Sequence, residues 1–312
     1  MEYISFEHNN IAAELVKQAY DTPPLAFVHS YGCQQNVNDG ERIKGVLMDI
    51  GYGLCDKPED ADLILFNTCA VREHAEQRVF GNVGALKGLK EKKPGLIIGL
   101  CGCMANQKHV VEKLRQSYPY VDLVFGVDGI DTLPQLIAQK LQKHKRVLLD
   151  PAQRPVIVEN IPIRRESEFR AWLPIMYGCD NFCTYCIIPY ARGPVRSLPL
   201  ATAVAQTEQL RREGYRELVL TGIEISSWGH DLKNGQSLID LLEAVSAAAG
   251  DMRLRLGSLE PRTITEDFCR RASKLPNLCP HFHLSLQSGC DETLRRMNRK
   301  YDTARFYESV TL

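Results

Sequence analysis

The chain has 312 residues, of which 44% are hydrophobic and 24% are charged, and its formal net charge at pH 7 is zero. This balance is typical of a globular protein and excludes an intrinsically disordered chain, and a chain of this length is expected to form two domains. The zero net charge gives no global electrostatic reason to expect a nucleic-acid partner, so such a partner has to be inferred from local features.

The first ten residues contain Glu2, Glu7 and His8 and no apolar core, so they lack the pattern of a secretory signal. No stretch of the sequence approaches the roughly 18 uninterrupted apolar residues that a membrane-spanning helix needs. We therefore expect a cytoplasmic protein with no membrane partner. Structural disulfides are disfavoured in a reducing cytosol, so the eleven cysteines of the sequence indicate metal or redox chemistry.

After an amphipathic lead-in over residues 11–20, apolar runs alternate with helical patterns in the first half of the chain. Four runs predict buried parallel strands, at residues 25–29, 63–66, 96–100 and 121–125. A helical pattern follows each run, and the fourth of these helices is predicted at 133–141. Units of this βα kind form an open parallel sheet covered by helices, and we assign this α/β domain to residues 1–146.

The alternation of strands and helices is interrupted by Pro151, Pro155 and Pro162, which lie among charged residues. We therefore assign residues 147–170 to a linker. The βα alternation then resumes. Strands are predicted at 172–177, 217–221, 253–257 and 281–286. Helices are predicted at 202–213, 237–248, 265–272 and 291–297. We therefore expect residues 171–312 to form a TIM-like βα barrel that is only partly present, because the chain stops before a barrel could close.

Basic side chains cluster at three places, over residues 87–93, 140–146 and 295–300. Clusters of this kind are candidates for contacts with phosphate groups. Solvated helix faces explain them at least as well, so both interpretations stay open.

Three cysteines with C-x3-C-x2-C spacing, Cys179, Cys183 and Cys186, directly follow the first predicted strand of the second domain. Three thiolates at this spacing can bind three irons of a 4Fe-4S cube and leave the fourth iron open to another ligand. A structural zinc site is the alternative. It needs four protein ligands, and no fourth Cys or His lies close in sequence, so the spacing favours the cluster.

A second group of cysteines is spread along the first domain. Cys33, Cys69 and Cys103 each lie a few residues past the carboxyl end of a predicted parallel strand. Such ends share one edge of a sheet, where ligands gather, so we expect the three thiols to converge. Buried cysteines are common in cores, which explains each of them singly, but three at equivalent strand ends favour a metal site.

The cysteine loop at 179–186 resembles the signature of the radical-SAM superfamily, and the three earlier cysteines resemble those of its methylthiotransferase family. The resemblance implies a first 4Fe-4S cluster on Cys179, Cys183 and Cys186, whose open iron binds S-adenosyl-L-methionine with Tyr185 near the adenine. It also implies an auxiliary 4Fe-4S cluster on Cys33, Cys69 and Cys103. Cys101 lies close to Cys103 and could be mistaken for the ligand, but the sequence around Cys103 (GCM) matches the family motif better. Four further cysteines match no ligand position and are interpreted as core or incidental thiols: Cys55, Cys269, Cys279 and Cys290.

Polar residues and glycines follow three strands of the predicted barrel, at the ends where active sites of this architecture lie. By resemblance they line the cofactor and substrate pocket; they are Gly222, Glu224, Glu260, Ser285 and Gln287. Gly222 is explained equally well as a turn glycine. We assign no catalytic side chain, because radical chemistry of this kind is carried by a cofactor that the protein positions.

The resemblance implies that a 5′-deoxyadenosyl radical from one S-adenosylmethionine attacks C2 of adenosine 37 in the anticodon loop of tRNA. A second S-adenosylmethionine supplies the methyl group of the 2-methylthio product. The base lies in a single-stranded loop, so it can be splayed into a pocket at modest cost. The implied partners are tRNA and an electron donor such as flavodoxin or ferredoxin, and we expect a monomer.

Two branches of the family resemble different parts of the chain. The branch that acts on N6-dimethylallyladenosine is similar at residues 31–36 (YGCQQN), 67–73 (NTCAVRE) and 180–186 (DNFCTYC). The branch that acts on N6-threonylcarbamoyladenosine is similar at 191–194 (ARGP), 221–227 (TGIEISS) and 283–290 (HLSLQSGC). We favour the first substrate, because about the first 190 residues resemble that branch.

Family members also carry further barrel units and a small β-rich RNA-binding domain. The sequence, which ends at Leu312, is therefore expected to be a truncated or mis-joined form of such an enzyme. The alternatives to tRNA methylthiolation are methylthiolation of a ribosomal protein and a non-catalytic iron–sulfur or zinc scaffold that binds RNA.

Overall fold

In the computed structural model, residues 2–70, 73–152 and 156–312 are described. Two predicted features include residues outside these ranges: Val71 and Arg72 belong to the 67–73 segment, and Pro155 belongs to the linker. The chain divides into two compact units. Unit 1 comprises Met1–Arg164 together with Tyr190–Arg192, and unit 2 comprises Arg165–Pro189 together with Gly193–Leu312. The domain bounds expected from sequence remain a prediction.

Unit 1 is built on a six-stranded parallel sheet with strand order β3-β2-β4-β5-β6-β7. Its strands are β2 (Leu25–Ser30), β3 (Gly53–Leu54), β4 (Leu63–Thr68), β5 (Ile97–Gly102), β6 (Leu123–Phe125) and β7 (Val147–Leu148). The helices are α1 (Asn10–Ala19), α2 (Gln34–Asp49), α3 (Glu73–Ala85), α4 (Lys87–Lys92), α5 (Lys108–Ser117) and α6 (Leu133–Lys143). A separate parallel pair joins β1 (Glu2–Ser5) to β8 (Val156–Glu159).

The central strands β4 and β5 are buried along their whole length. This is why they appear in the sequence as continuous apolar runs rather than as alternating patterns. Successive side chains of β4 enter different cores, since Leu63 and Leu65 pack in one hydrophobic cluster and Ile64 and Phe66 in another. The two clusters lie on the two faces of the sheet, which confirms the helix-covered parallel sheet predicted from sequence.

Unit 2 contains a three-stranded parallel sheet with strand order β13-β12-β9. Its strands are β9 (Arg170–Pro174), β12 (Glu217–Thr221) and β13 (Arg253–Leu256), and a short antiparallel pair joins β10 (Met176–Tyr177) to β11 (Arg196–Ser197). The helices are α8 (Leu200–Arg212), α9 (Leu238–Ala249), α10 (Glu266–Ala272), α11 (Asp291–Arg296) and α12 (Thr303–Thr311), together with the start of α7 (Ile188–Arg192), whose last three residues belong to unit 1. The α/β class is confirmed for this unit as well.

The predicted strand at 281–286 is wrong as a regular element. This segment makes only an isolated bridge, between Leu259 and Leu284. Short local hydrogen bonds turn the backbone instead, such as that from the amide of Leu286 to the carbonyl of Leu284 (3.1 Å). Gln287 then adopts a positive φ of 64°, which ends any extended run.

No helix within the described ranges has the length and apolar character that crossing a bilayer requires.

Candidate metal centres

The three cysteines of unit 1 lie at one edge of its sheet. Cys33 precedes the first turn of α2, Cys69 directly follows β4, and Cys103 directly follows β5. The amide of Cys103 donates to the carbonyl of Thr68 at 3.0 Å, which fixes the two strand ends together. The structure therefore brings these residues to a common edge, as the strand-end pattern predicts.

Gly32 allows the segment carrying Cys33 to approach Cys69. Its φ is +104°, a left-handed conformation that favours glycine. A Cβ at this position would overlap the Cβ of Cys69 and lie 2.7 Å from its Sγ. The absence of a side chain at residue 32 is thus what permits the close packing of two of the three cysteine segments.

Asn36, in the first turn of α2, connects the cysteine segments. Its Nδ2 donates to the carbonyls of Tyr31 (2.8 Å) and Thr68 (2.9 Å). Its Oδ1 lies 3.8 Å from the Sγ of Cys33 and 4.0 Å from the Sγ of Cys103. A single buried amide therefore ties the backbone before Cys33 to the backbone before Cys69 and lies beside two of the thiols.

A buried guanidinium completes this edge. Nε of Arg192 donates to the Sγ of Cys103 at 3.0 Å, and its NH2 group donates to Oδ1 of Asn36 (2.8 Å) and Oδ2 of Asp39 (2.7 Å). Burial raises the pKa of Cys103 to about 11, and the charge of Arg192 opposes that rise. Metal ligation requires the thiolate form, so the guanidinium favours the state that a metal would bind.

Three thiols are the donor set that a 4Fe-4S cluster takes, because each thiolate binds a different iron of the cube. Across residues 2–70, 73–152 and 156–312, no three His, Cys, Asp or Glu side chains are arranged to hold a single metal ion. Hydrogen bonds to the sulfurs, such as that from Arg192, are among the features that set the potential of such clusters. Cys101, by contrast, packs in a hydrophobic core cluster.

The second cysteine loop lies in unit 2, directly after β10. The amide of Cys179 donates to the carbonyl of Gly193 (3.1 Å), and the amide of Cys186 donates to the carbonyl of Cys183 (2.9 Å). Gly178 has a φ of +71°, and a side chain there would overlap the carbonyl of Pro194. Burial raises the pKa of Cys179 to about 11 and also raises the pKa of Cys186. The turn brings all three thiols into one short loop.

The segment after α11 holds this loop in place. The amide of Thr184 donates to the carbonyl of Met297 (3.2 Å), and Nδ2 of Asn298 donates to the carbonyl of Phe182 (3.0 Å). NH1 of Arg299 donates to the Sγ of Cys183 at 3.3 Å, and the guanidinium lies 5.0 Å from the ring centroid of Tyr301. Part of the basic cluster at 295–300 thus has a role inside unit 2.

Each cysteine group therefore has an arginine that donates to one of its sulfurs, Arg192 to Cys103 and Arg299 to Cys183. Sequence reasoning missed both side chains. Arg192 was visible only as part of a branch-specific motif, and Arg299 only as a member of a basic cluster.

Two of the residues predicted to line the cofactor pocket lie in one cleft of unit 2. Glu224 and Glu260 line a cavity of about 460 Å³ together with Asp180 and Asn181 of the cysteine loop. Arg262 donates to both carboxylate oxygens of Glu260, at 3.0 and 2.8 Å. Glu224 accepts from the amide of Ser226 (3.0 Å) and, through its other oxygen, from the hydroxyl of Ser227 (2.5 Å). Local donors thus fix both carboxylates.

The other predicted pocket residues lie elsewhere in unit 2. Tyr185 is 53% exposed within the cysteine loop. The carbonyl of Ser285 accepts from the hydroxyl of Tyr301, and Gln287 follows on the same turning segment. Gly222 packs against Met176, where a Cβ would lie 2.8 Å from Cγ, so close packing requires glycine there. These four residues are not among those that line the cleft.

Comparison with known proteins finds two family models that match separate parts of the chain. The model of the Radical SAM superfamily matches residues 173–312, and the model named uncharacterized protein family UPF0004 matches residues 26–126. Two solved structures share the fold. The cobalamin-dependent S-adenosylmethionine radical enzyme OxsB has a TM-score of 0.62 and 12% identity, with 95% of this chain and 48% of that chain covered. The radical S-adenosylmethionine methyltransferase TsrM from Kitasatospora setae has a TM-score of 0.59 and 14% identity, with coverages of 92% and 65%.

Curated relatives are similar over most of the chain. The tRNA-2-methylthio-N(6)-dimethylallyladenosine synthase of Desulforamulus reducens is 41% identical over 292 residues, which cover 94% of this chain and 64% of the relative. The protein with the same name from Caldicellulosiruptor saccharolyticus is 43% identical over 272 residues, with coverages of 87% and 58%. The chain belongs to the radical-SAM methylthiotransferase family. It spans about three fifths of the length of these relatives.

Proposed function

We propose that this protein installs a 2-methylthio group on N6-dimethylallyladenosine 37 in the anticodon loop of tRNA. The observation that carries the proposal is the presence of two separate cysteine trios, each with an arginine donating to one sulfur. The names of the similar synthases support this substrate. The proposed setting is the cytoplasm, with a monomeric protein that receives electrons from a donor such as flavodoxin or ferredoxin.

In this proposal Cys179, Cys183 and Cys186 hold a 4Fe-4S cluster that binds S-adenosyl-L-methionine. When bound, the two groups supply the one-electron chemistry that removes hydrogen from an unactivated ring carbon. Tyr185 and the cleft lined by Glu224 and Glu260 are proposed to position the cofactor and the base. Because Arg262, Ser226 and Ser227 hold the two carboxylates, their orientation is set before ligand binds.

Cys33, Cys69 and Cys103 are proposed to hold the auxiliary 4Fe-4S cluster, with Arg192 donating to a ligand sulfur. Gly222, Ser285 and Gln287 are proposed to shape the pocket through backbone conformation. Residues 1–146 and 171–312 remain our proposed domains, joined by the linker at 147–170. The target base lies in a single-stranded loop, where it can be turned out of the stack.

The experiment is anaerobic reconstitution of the whole chain, followed by iron analysis and an assay on tRNA from cells that lack the gene. We expect about eight irons per chain, formation of 5′-deoxyadenosine under reduction, and 2-methylthio-N6-dimethylallyladenosine in the digested tRNA. Cys69→Ala should abolish the modified base and remove about half of the iron. Cys55→Ala is the matched control in unit 1 and should change neither.

The other functions predict different outcomes of the same experiment. Formation of the 2-methylthio product only on tRNA that carries N6-threonylcarbamoyladenosine would assign the protein to the other branch of the family. Metal binding without cleavage of S-adenosylmethionine would indicate a scaffold, and turnover of a ribosomal protein without tRNA product would indicate a protein substrate. Zinc at the cysteines, or protein that stays free of iron, would overturn the proposal.

A further inference from the structure

Unit 1 has a concave surface apart from its cysteines, formed by the strand that leads to Cys33 and by helices α3 and α4. We call it the aromatic groove; its volume is about 630 Å³, and its lining includes Phe27, His29, Tyr31, Phe66, Arg78 and Lys92. None of the proposed iron ligands lines it.

The floor of the groove is a row of rings along β2 and at its end. Phe27 and His29 alternate along β2 and Tyr31 directly follows the strand, so their side chains lie on one side of the sheet. The rings of Phe27 and His29 are parallel within 4°, and the ring of His29 meets that of Tyr31 edge-on with centroids 4.5 Å apart. The hydroxyl of Tyr31 accepts from Nδ2 of Asn82 at 2.6 Å. The rings are therefore held in fixed orientations, while His29 itself is exposed.

The wall of the groove carries positive charge. Arg78 and Lys92 are exposed, and neither is paired with an acidic side chain among the residues that the structure describes. Their neighbours in the 87–93 cluster are engaged: Lys90 pairs with Asp122 (2.8 Å) and Lys93 with Asp62 (2.8 Å). Glu59 is the acidic residue of the lining. Two cations thus face one carboxylate, so the groove is complementary to an anion.

The helical wall also contains a glycine. Gly88 in α4 is exposed, and a Cβ built at this position would meet nothing within 4 Å. Glycine is less favourable than alanine within a helix, and no packing contact requires it here. Gly88 lines the groove, so a ligand can approach the helix backbone closely there.

We propose that the aromatic groove binds a single-stranded stretch of the RNA substrate, with a base stacked on His29 and Tyr31 and phosphates against Arg78 and Lys92. Single-stranded RNA is bound by this combination of aromatic rings and cations along a groove. The inference rests on the proposed function, because it adds a contact for the same tRNA. An acidic protein partner would bind the two cations but would gain nothing from the ring of His29. Substitution of His29 therefore distinguishes an RNA partner from an acidic protein partner.

The experiment measures the Kd of a fluorescent anticodon stem–loop RNA for the reconstituted whole chain by anisotropy, at several salt concentrations. His29→Ala should weaken binding by about 5- to 150-fold, the range for one lost stacked base. Lys92→Gln should weaken binding and reduce the salt-dependence slope, log Kd against log salt, by about 0.7. Lys87→Gln is the matched control, since Lys87 lies on the same helix, pairs with Glu91 and does not line the groove.

A second measurement guards against misfolded variants. Photo-crosslinking of 5-iodouridine RNA to the unmodified protein should label His29 or Tyr31 in peptide mass spectra. If the protein binds the RNA but both variants bind as tightly as the wild type and no groove residue is labelled, the groove proposal is overturned and the proposed function stands. If Lys92→Gln weakens binding while His29→Ala does not, stacking is excluded and the proposal fails. If wild-type protein binds no RNA at all, the proposed function itself fails.

Discussion

Arg192 and Asp39 form an ion pair with an N···O distance of 2.7 Å, although their side chains are only 4% and 5% exposed. Two charges shielded from water cost free energy unless further hydrogen bonds satisfy them. Here Arg192 also donates to Asn36 and Cys103, and Asp39 also accepts from Nε2 of Gln35 at 3.2 Å. The pair is thus part of a network around a thiol rather than an isolated bridge.

Removing one partner of this pair should be strongly destabilising. Arg192→Met leaves the carboxylate of Asp39 buried without its cation, and we expect a loss of about 3–5 kcal/mol in the free energy of unfolding. Denaturant unfolding of anaerobic protein measures the change. Arg115→Met is the control: Arg115 pairs with Asp150 at an exposed site, and its loss should cost less than about 1 kcal/mol. Equal effects of the two substitutions would contradict this account of Arg192.

The two neighbouring cysteines at the end of β5 should behave differently. Cys103→Ala is expected to remove about half of the iron, because it deletes a proposed ligand. Cys101→Ala removes a thiol that packs in a hydrophobic cluster, so iron content should stay near that of the wild type while stability falls slightly. Iron analysis with electron paramagnetic resonance of the reduced protein measures both. If Cys101→Ala lost iron and Cys103→Ala did not, Cys101 would be the ligand and Cys103 the core thiol.

Arg299 should raise the reduction potential of the cluster proposed in unit 2. A guanidinium beside a sulfur stabilises the more negative, reduced state, so Arg299→Gln should lower the potential. An interaction difference of about 1.4 kcal/mol between the two oxidation states corresponds to about 59 mV for one electron, which sets the expected scale. A redox titration followed by spectroscopy measures the shift.

The chain offers a matched control for that titration. NH2 of Arg253 donates to the Sγ of Cys279 at 3.0 Å, and Cys279 is not a proposed ligand. Arg253→Gln should therefore leave both potentials unchanged. A shift of similar size in the two variants would mean that general charge, and not the contact with Cys183, is responsible.

Glycine substitutions should act in opposite directions at two positions of unit 1. Gly32→Ala introduces a Cβ that overlaps Cys69 at a positive φ, so we expect a loss of more than about 1 kcal/mol in stability together with loss of the iron proposed for unit 1. Gly84→Ala adds a Cβ in open space within a helix and should stabilise the protein by about 0.5–1 kcal/mol. Thermal unfolding compares the two variants, and destabilisation by Gly84→Ala would contradict the open space around that position.

The buried parallel strands could be predicted because their burial on both faces gives each of them a continuous apolar run in the sequence. The run ending at Phe66 is apolar since β4 faces two cores, and the helix at 238–249 shows its amphipathic repeat in the same way. The pairing of β1 with β8 could not be predicted, because it joins segments some 150 residues apart and leaves no local signature. Segment 281–286 was wrongly predicted as a strand because it has an alternating apolar pattern. Its backbone pairs with the neighbouring segment only at Leu259 and otherwise forms turns.

The cysteines themselves could be found from spacing, because each group occupies strand ends or a single loop. Their supporting residues could not. Arg192 contacts a thiol 89 positions earlier in the sequence, and Arg299 contacts one 116 positions earlier. No periodicity of the sequence indicates such a long-range contact. An arginine that contacts a buried thiol cannot be distinguished in the sequence from an arginine on a solvated helix face.

One glycine separates Tyr31, a ring of the aromatic groove, from Cys33. Since Gly32 must keep its left-handed backbone against Cys69, the chain has no spare length there in which to absorb an inserted or deleted residue. Lengthening that turn by a single position would displace the phenol and the sulfur together. Homologous chains are thus expected to vary the residues on either side of this tripeptide far more readily than its length.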